Sequence, residues 1–304
     1  MRNRDEKLLA EAYLRVLLRE EEFPGDENQF AQAYQKAITG PYIPFVQWLK
    51  KYSDDQRIAS IINVGQQDGS PADDSLKAST ISNGLPVTDL LPTQKEIGIA
   101  ASLAWPLDKP DKFASLFSGA PVNPGPVIVL NSKYILDGHH RWSQTFCYNP
   151  KASLVVINYE NPNFEKEGGL KVIQAAIAAL KPPGTQLQTK PNNEPNLLNC
   201  GLEEVRKVLN PTQEVLQKAV ELQFCTDLKT FQDKVISNVM LLRDKVSISA
   251  ENNPPRGEMP QPGLNKVGDQ DLANAVQSGA IDAVSPFKQG TTQQAPVTQQ
   301  QVRR

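Results

Sequence analysis

The sequence predicts an α+β protein, in which a small mixed sheet-and-helix core lies between helical segments and is followed by a disordered tail. Residues 127–130 and 154–159 are short runs rich in β-branched residues, which is typical of buried strands. Apolar residues recur at helical spacing before and after these runs. The last 54 residues contain one aromatic side chain and are dominated by Pro, Gln, Gly and Asn, so they should not fold alone.

The N-terminal region, residues 1–63, has the pattern of a helical bundle or a docking arm. Apolar stripes at helical spacing, separated by Pro-Gly and Gly-Pro pairs, predict helices at residues 8–17, 30–38, 44–52 and 55–63. Residues 64–82 are small, polar and acidic, which predicts a linker. We therefore expect the core to begin near residue 83.

The predicted core, residues 83–160, alternates between strand and helix patterns. A short strand and turn is expected around residues 85–91, and Pro92 is placed to begin a helix. Strands are expected at residues 127–130, 134–136 and 154–159, with a helix at 140–146. Asp137-Gly138 separates that helix from the strand before it.

Helical patterning returns in residues 161–250, and the tail follows at 251–304. The expected helices in the first of these regions lie at residues 170–180, 202–209, 212–224 and 228–246. Within the tail, residues 272–284 have the pattern of a helix that would form on a partner. The tail carries five positive and five negative charges.

Composition excludes several functional classes. The chain has 304 residues with 32 Lys+Arg against 34 Asp+Glu, a balance that argues against coating nucleic acid through overall charge. No apolar run approaches the roughly 18 residues of a membrane span, and the acid-rich N-terminus is unlike a signal peptide. Three cysteines without metal-ligand spacing indicate a reducing compartment. With only two histidines, which are adjacent, a classical zinc site is not expected.

One motif carries chemistry, the run Asp-Gly-His-His-Arg-Trp that begins at Asp137. A strand leads into it and a helix follows, so backbone N–H groups at a helix N-terminus should form an anion site. Gly138 permits the tight turn, and Arg141 can donate two hydrogen bonds to a phosphate or carboxylate. His139 and His140 can donate to phosphate oxygens or exchange protons near neutral pH. Asp137 can hold a cation or orient an imidazole.

The run PVIVLNSKYILDGHHRW, preceded by PVTDLLPTQKEI, resembles the ParB/sulfiredoxin superfamily over about residues 83–159. ParB proteins carry a Gly-Glu-Arg-Arg-type motif after two short strands, and sulfiredoxins carry Gly-Cys-His-Arg there. The ParB-related free-serine kinases carry Asp-Gly-His-His-Arg, which is the closest match. ParB-like proteins of bacteriophages often pair a PTQ-type segment with a DGHHRW-type segment, as this chain does.

The resemblance implies a nucleotide-binding site, with ATP, ADP or CTP as the ligand and Mg²⁺ as a companion ion held by Asp137. By position it assigns nucleotide or phosphate contacts to Gly138, His139, His140 and Arg141, and also to Gln94, which falls near a family glutamine. It makes Asp137, His139, His140 and Glu96 the catalytic candidates, with Glu96 near the kinases' essential acid. His139 stands where sulfiredoxins have their catalytic cysteine, so sulfinic-acid repair is not expected.

Together with the resemblance, these observations predict a phage-associated ParB-like protein of the host cytoplasm or the virion. We expect it to bind a nucleotide or phosphate group. Whether it also performs phosphoryl transfer or nucleotide hydrolysis stays open. The alternative is a structural or packaged virion protein that keeps the fold without catalysis and contacts other phage proteins through its helical arms and tail. A ParB-like nuclease ranks third. DNA clamping is not expected, because no basic helix-turn-helix is recognisable after residue 160.

Overall fold

The computed structural model describes residues 25–62, 78–160 and 165–278, and it confirms the α+β class. The helix expected at residues 8–17, most of the predicted linker and residues 279–304 lie outside the described residues.

A five-stranded mixed sheet in the order β1-β5-β3-β4-β2 forms the centre of the protein. Outer strand β1 is antiparallel to β5, β5 is parallel to β3, β3 is antiparallel to β4, and β4 is parallel to β2. The strands are β1 (Ala78–Pro86), β2 (Leu91–Pro92), β3 (Ile128–Leu130), β4 (Tyr134–Asp137) and β5 (Ser153–Tyr159).

Helices cover both faces of this sheet, which explains why its central strand β3 is apolar at every position. Successive residues of β3 alternate between two cores, because Ile128 and Leu130 pack into one apolar cluster and Val129 into the other. The described helices are α1 (Glu27–Thr39), α2 (Tyr42–Tyr52), α3 (Arg57–Ile62), α4 (Ile99–Leu103), α5 (Pro110–Ser115), α6 (His139–Tyr148), α7 (Lys166–Leu180), α8 (Leu202–Val208), α9 (Gln213–Glu221), α10 (Leu228–Glu251) and α11 (Asp269–Gln277).

The first core is built by α1 to α3, α7 and α11, and the second by α4 to α6 and α8 to α10. In the first, the aromatic rings of Phe30, Trp48 and Tyr52 pack against one another with centroids 4.9–6.1 Å apart. Among the described residues, no helix is both long and apolar enough to cross a lipid bilayer.

The segment from Asn252 to Ser278, here called the C-terminal strap, is folded, so the prediction of disorder from residue 251 is wrong up to residue 278. It contains two short 3₁₀ turns, Arg256–Glu258 and Gly263–Asn265, and helix α11. Four of its apolar side chains are buried in the first core: Met259, Val267, Leu272 and Ala273. The strap cannot form a core alone, but it adds to one that already exists, which the composition argument did not allow for.

Two smaller predictions in the core also differ from the structure. Strand β1 begins at Ala78, inside the predicted linker, where it pairs with the full length of β5. Pro92 does not begin a helix; it lies in β2 opposite Ile135, and the next helix begins only at Ile99. A proline fits this edge strand because no strand lies beyond it to accept a hydrogen bond from a backbone N–H at that position.

Candidate functional site

The predicted strand–turn–helix is present, with β4 ending at Asp137 and α6 beginning at His139. Gly138 joins them in the left-handed region, at φ 90° and ψ 22°. A Cβ atom at this glycine would lie 3.1 Å from the carbonyl oxygen of Pro126 and 3.1 Å from Val127. No side chain caps α6, so its first-turn N–H groups, which have no acceptor inside a helix, are available to a ligand.

This turn opens into a cavity of about 320 Å³, here called the turn cavity. Its walls come from the β4–α6 turn, from α7 and from the C-terminal strap. Its apolar lining is formed by Ile173, Ile177, Met259, Pro260 and Pro262. Its polar and charged lining includes Asp137, His140, Arg141, Arg256 and Asp269. The cavity is within the size range of small-ligand sites.

His140 is held as a neutral imidazole by two neighbours. Nη1 of Arg256 lies 2.9 Å from its Nε2, and because a guanidinium only donates, Nε2 must accept. The ring proton is therefore on Nδ1, which lies 3.4 Å from the hydroxyl of Ser102. Burial lowers the pKa of His140 to about 4, helped by the positive charges of Arg256 and Arg141.

His139 is also neutral, and it is more deeply buried than its neighbour. Its Nε2 accepts a hydrogen bond from the backbone N–H of Thr93 at 3.1 Å. The Thr93 hydroxyl donates to the carbonyl of Ile135 at 2.5 Å, so it does not compete as a donor. Burial holds the pKa of His139 well below its usual range. Neither histidine titrates near neutral pH here, in contrast to the role the sequence predicts.

Arg141 reaches the cavity with its guanidinium already paired. Nη1 donates to the carbonyl of Pro126 at 2.6 Å, and Nη2 donates to the carboxylate of Asp269. The Asp137 carboxylate lies 3.8 Å from Nη1. Asp269 therefore occupies one of the donors that a phosphate oxygen would use.

Asp137 is the ionisable group of this turn that titrates closest to neutral pH. Burial and, to a smaller extent, the negative charge of Asp269 raise its pKa to about 6, while Arg141 acts in the opposite direction. Its side chain keeps 21% of its surface exposed, which leaves its oxygens accessible from the cavity. A carboxyl group with this pKa can be a base or an acid under physiological conditions.

Arg256, from the C-terminal strap, is the main site residue that sequence reasoning missed. Besides His140, it contacts the side-chain oxygen of Gln261 through Nη2 at 3.0 Å. Its backbone N–H donates to Oε2 of Glu96 at 2.7 Å. An isolated arginine in a Pro-rich polar segment gives no sequence signal, and nothing in the sequence pointed to Asp269 either.

Most of the predicted site residues meet at the turn cavity: Gln94, Asp137, Gly138, His139, His140 and Arg141 all line it. Glu96, the predicted base, does not. Its carboxylate accepts from the Arg256 backbone, which makes Glu96 a residue that fixes the strap.

Two buried amides in the cavity wall lack hydrogen-bond partners within the described residues. They are Nε2 of Gln94, in a side chain 5% exposed, and Oε1 of Gln174, in one 2% exposed. Gln174 also escaped sequence reasoning, although a polar residue inside the apolar run of α7 was a signal that could have found it.

The described residues contain no group of three or more His, Cys, Asp and Glu side chains arranged to hold a metal ion. An Mg²⁺ ion at Asp137 would therefore need oxygen ligands from a bound phosphate or from water, as is usual for this ion. The three cysteines are free thiols, and burial raises the pKa of each. Comparison of the chain with protein-family models, with curated proteins and with solved structures gave no match.

Proposed function

We propose that this protein binds a phosphate-bearing small ligand of the nucleotide class at the N-terminus of α6. The observation that carries the proposal is the uncapped end of this helix, which faces a cavity between two guanidinium groups, Arg141 and Arg256. Helix N-termini attract anions through free N–H groups and the helix dipole, and arginine pairs with phosphate through two donors. The resemblance of the motif to ParB-related proteins supports the same ligand class.

Phosphate binding requires that Arg141 exchange one partner. In the ligand-free arrangement its Nη2 faces the Asp269 carboxylate, and a phosphate oxygen would take that place. Both side chains of the pair are partly exposed, at 26% and 37%, so the exchange costs little compared with breaking a buried pair.

If the bound ligand reacts, by phosphoryl transfer or hydrolysis, we propose Asp137 rather than Glu96 as the acid–base group. Its pKa of about 6 suits proton exchange, whereas both imidazoles are neutral and engaged. The alternative role for Asp137 is to hold Mg²⁺ against phosphate oxygens. The two roles differ in that only the second makes ligand affinity depend on Mg²⁺.

The assembly-protein and nuclease alternatives receive less support. The assembly alternative drew on a tail free to order on partners, and the strap packs on the chain's own core up to residue 278. A nuclease would use a cluster of acidic or histidine ligands. The turn contributes Asp137 with Asp269 near it, and two carboxylates alone do not make such a cluster. We therefore retain nucleotide binding as the proposal.

The test is thermal unfolding with Mg²⁺ and, separately, ATP, ADP, CTP and GTP. A ligand at 100 times its dissociation constant should stabilise the protein by about 2.7 kcal/mol, which raises Tm by several degrees. The gain should vanish in Arg141→Ala and persist in Arg206→Ala. Arg206 is a matched control, since it pairs with Asp233 at 2.9 Å away from the cavity. A shift that survives Arg141→Ala, or no shift with any nucleotide, would overturn the proposal.

A further inference from the structure

The two unpartnered amides, Gln94 and Gln174, identify a second part of the ligand. Buried polar groups almost always have hydrogen-bond partners, because desolvating them without one is unfavourable. Both side chains line the turn cavity and are more than nine-tenths buried. The unpaired donor and acceptor are themselves closed to solvent in the ligand-free arrangement. A partner in the cavity would pair with them once the two side chains turn toward it.

Each of these amides is placed by an ordered element. Gln94 follows β2, and its backbone carbonyl accepts a hydrogen bond from Asn253 of the strap at 3.3 Å. Gln174 lies in the middle of α7, between Ile173 and Ile177, which line the same cavity. Core packing alone would favour an apolar residue at position 174, since the helix is buried on most sides there.

The rest of the cavity wall limits the shape of the group that these amides contact. Ile173 and Ile177 from α7, with Met259, Pro260 and Pro262 from the strap, give an apolar surface. Two positive groups line the same cavity, Arg141 of α6 and Arg256 of the strap, which contacts His140 of α6. A complementary ligand has an anionic group for these arginines and an apolar body with hydrogen-bonding groups on its edge.

We propose that Gln94 and Gln174 recognise the base of the bound nucleotide. The Gln94 amide donates to a ring nitrogen or carbonyl oxygen of the base, and the Gln174 carbonyl accepts from an amino or imino N–H. The apolar side chains of α7 and the strap contact the faces of the ring. This inference rests on the proposed function, and it extends that function from phosphate binding to base-dependent affinity.

Isothermal titration calorimetry on the full chain tests this division of roles. Tripolyphosphate with Mg²⁺ reports the phosphate site alone, and ATP, CTP and GTP with Mg²⁺ report phosphate and base together. The variants are Gln94→Met and Gln174→Met, which keep the side-chain length, with Gln217→Met on the exposed face of α9 as the control. The wild type should bind at least one nucleotide more tightly than tripolyphosphate.

We expect each cavity variant to bind that nucleotide about 10-fold more weakly, as loss of a hydrogen bond to a ligand predicts. Tripolyphosphate affinity should stay unchanged in every variant. The ligand-free cavity variants should be as stable as the wild type or more stable, because an unpaired buried amide is replaced by an apolar side chain.

The outcomes separate the two proposals. Equal affinity for nucleotides and tripolyphosphate, or a nucleotide preference that survives both substitutions, would overturn base recognition and leave the phosphate site intact. A loss of stability in the ligand-free variants would show that the amides have a partner such as bound water, and it too would overturn the inference. No binding of either ligand by the wild type would refute the proposed function itself.

Discussion

Replacing Asp137 by asparagine should stabilise the ligand-free protein at neutral pH. The folded state raises the pKa of this carboxyl from 3.8 to about 6, chiefly through burial. Folding therefore favours the protonated form, and the favourable contribution is complete below pH 4. It is lost as the pH rises from about 4 to about 6, and the carboxylate then opposes folding. Asparagine has a similar shape and cannot ionise.

The magnitude follows from the size of the pKa change. At 1.36 kcal/mol per pKa unit, a rise from 3.8 to about 6 corresponds to about 3 kcal/mol. Because 21% of the side chain remains exposed, solvent screening reduces this figure, and we expect about 2 kcal/mol. The free energy of unfolding of Asp137→Asn minus that of the wild type should therefore be larger at pH 7 than at pH 4 by this amount.

Urea unfolding at one-unit steps from pH 4 to pH 8 measures this difference directly. Asp55→Asn is the control of opposite sign, since hydrogen bonding to Arg57 lowers the pKa of Asp55. That substitution should cost stability at pH 7 and keep most of that cost at pH 4, because a lowered pKa loses its contribution only as the pH falls below about 4. If Asp137→Asn differs from the wild type by the same amount at every pH, the reasoning about a buried, repelled carboxyl is refuted.

Two further predictions concern the structure around the turn. Gly138→Ala should destabilise the protein by about 1–3 kcal/mol in urea unfolding. The residue has φ +90°, and its Cβ would crowd the backbone of Pro126 and Val127. Gly119→Ala, at φ +78° with nothing within 4 Å of its Cβ, should cost less, and equal costs would contradict the steric argument. Asn253→Ala should speed hydrogen exchange at residues 254–265, because Asn253 accepts from Lys166 at 2.6 Å and donates to a backbone carbonyl at 2.9 Å; unchanged exchange would mean that other contacts hold the strap.

Strands β3, β4 and β5 and the turn were predictable because their signals are local. Residues 127–130 are apolar throughout, and in the structure they alternate between two cores. A strand pattern ending at Asp-Gly and followed by a helical pattern predicts a turn, and Gly138 has the positive φ expected there. Six of the seven predicted site residues line one cavity. Five of them do so because they are consecutive and share one turn.

The remaining site residues could not be predicted, because they come from distant parts of the chain. Arg256 contacts His140 across 116 positions, and Asp269 contacts Arg141 across 128. Composition marked their segment as too polar to fold, which is sound for an independent segment and fails for one that docks onto a finished core. Glu96 was assigned from the resemblance, which does not reveal that its carboxylate faces the backbone of Arg256.

The dependence of the turn cavity on the strap has a consequence for biosynthesis. The β4–α6 turn is made first, and the strap that supplies Arg256 and Asp269 is synthesised 116 to 128 residues later. At 5–20 residues per second, this interval is roughly 6–25 s on the ribosome. During this time the nascent chain carries the N-terminus of α6 and Arg141 without the part of the cavity wall that the strap supplies. Selective ligand binding should therefore begin only after the strap has emerged and docked.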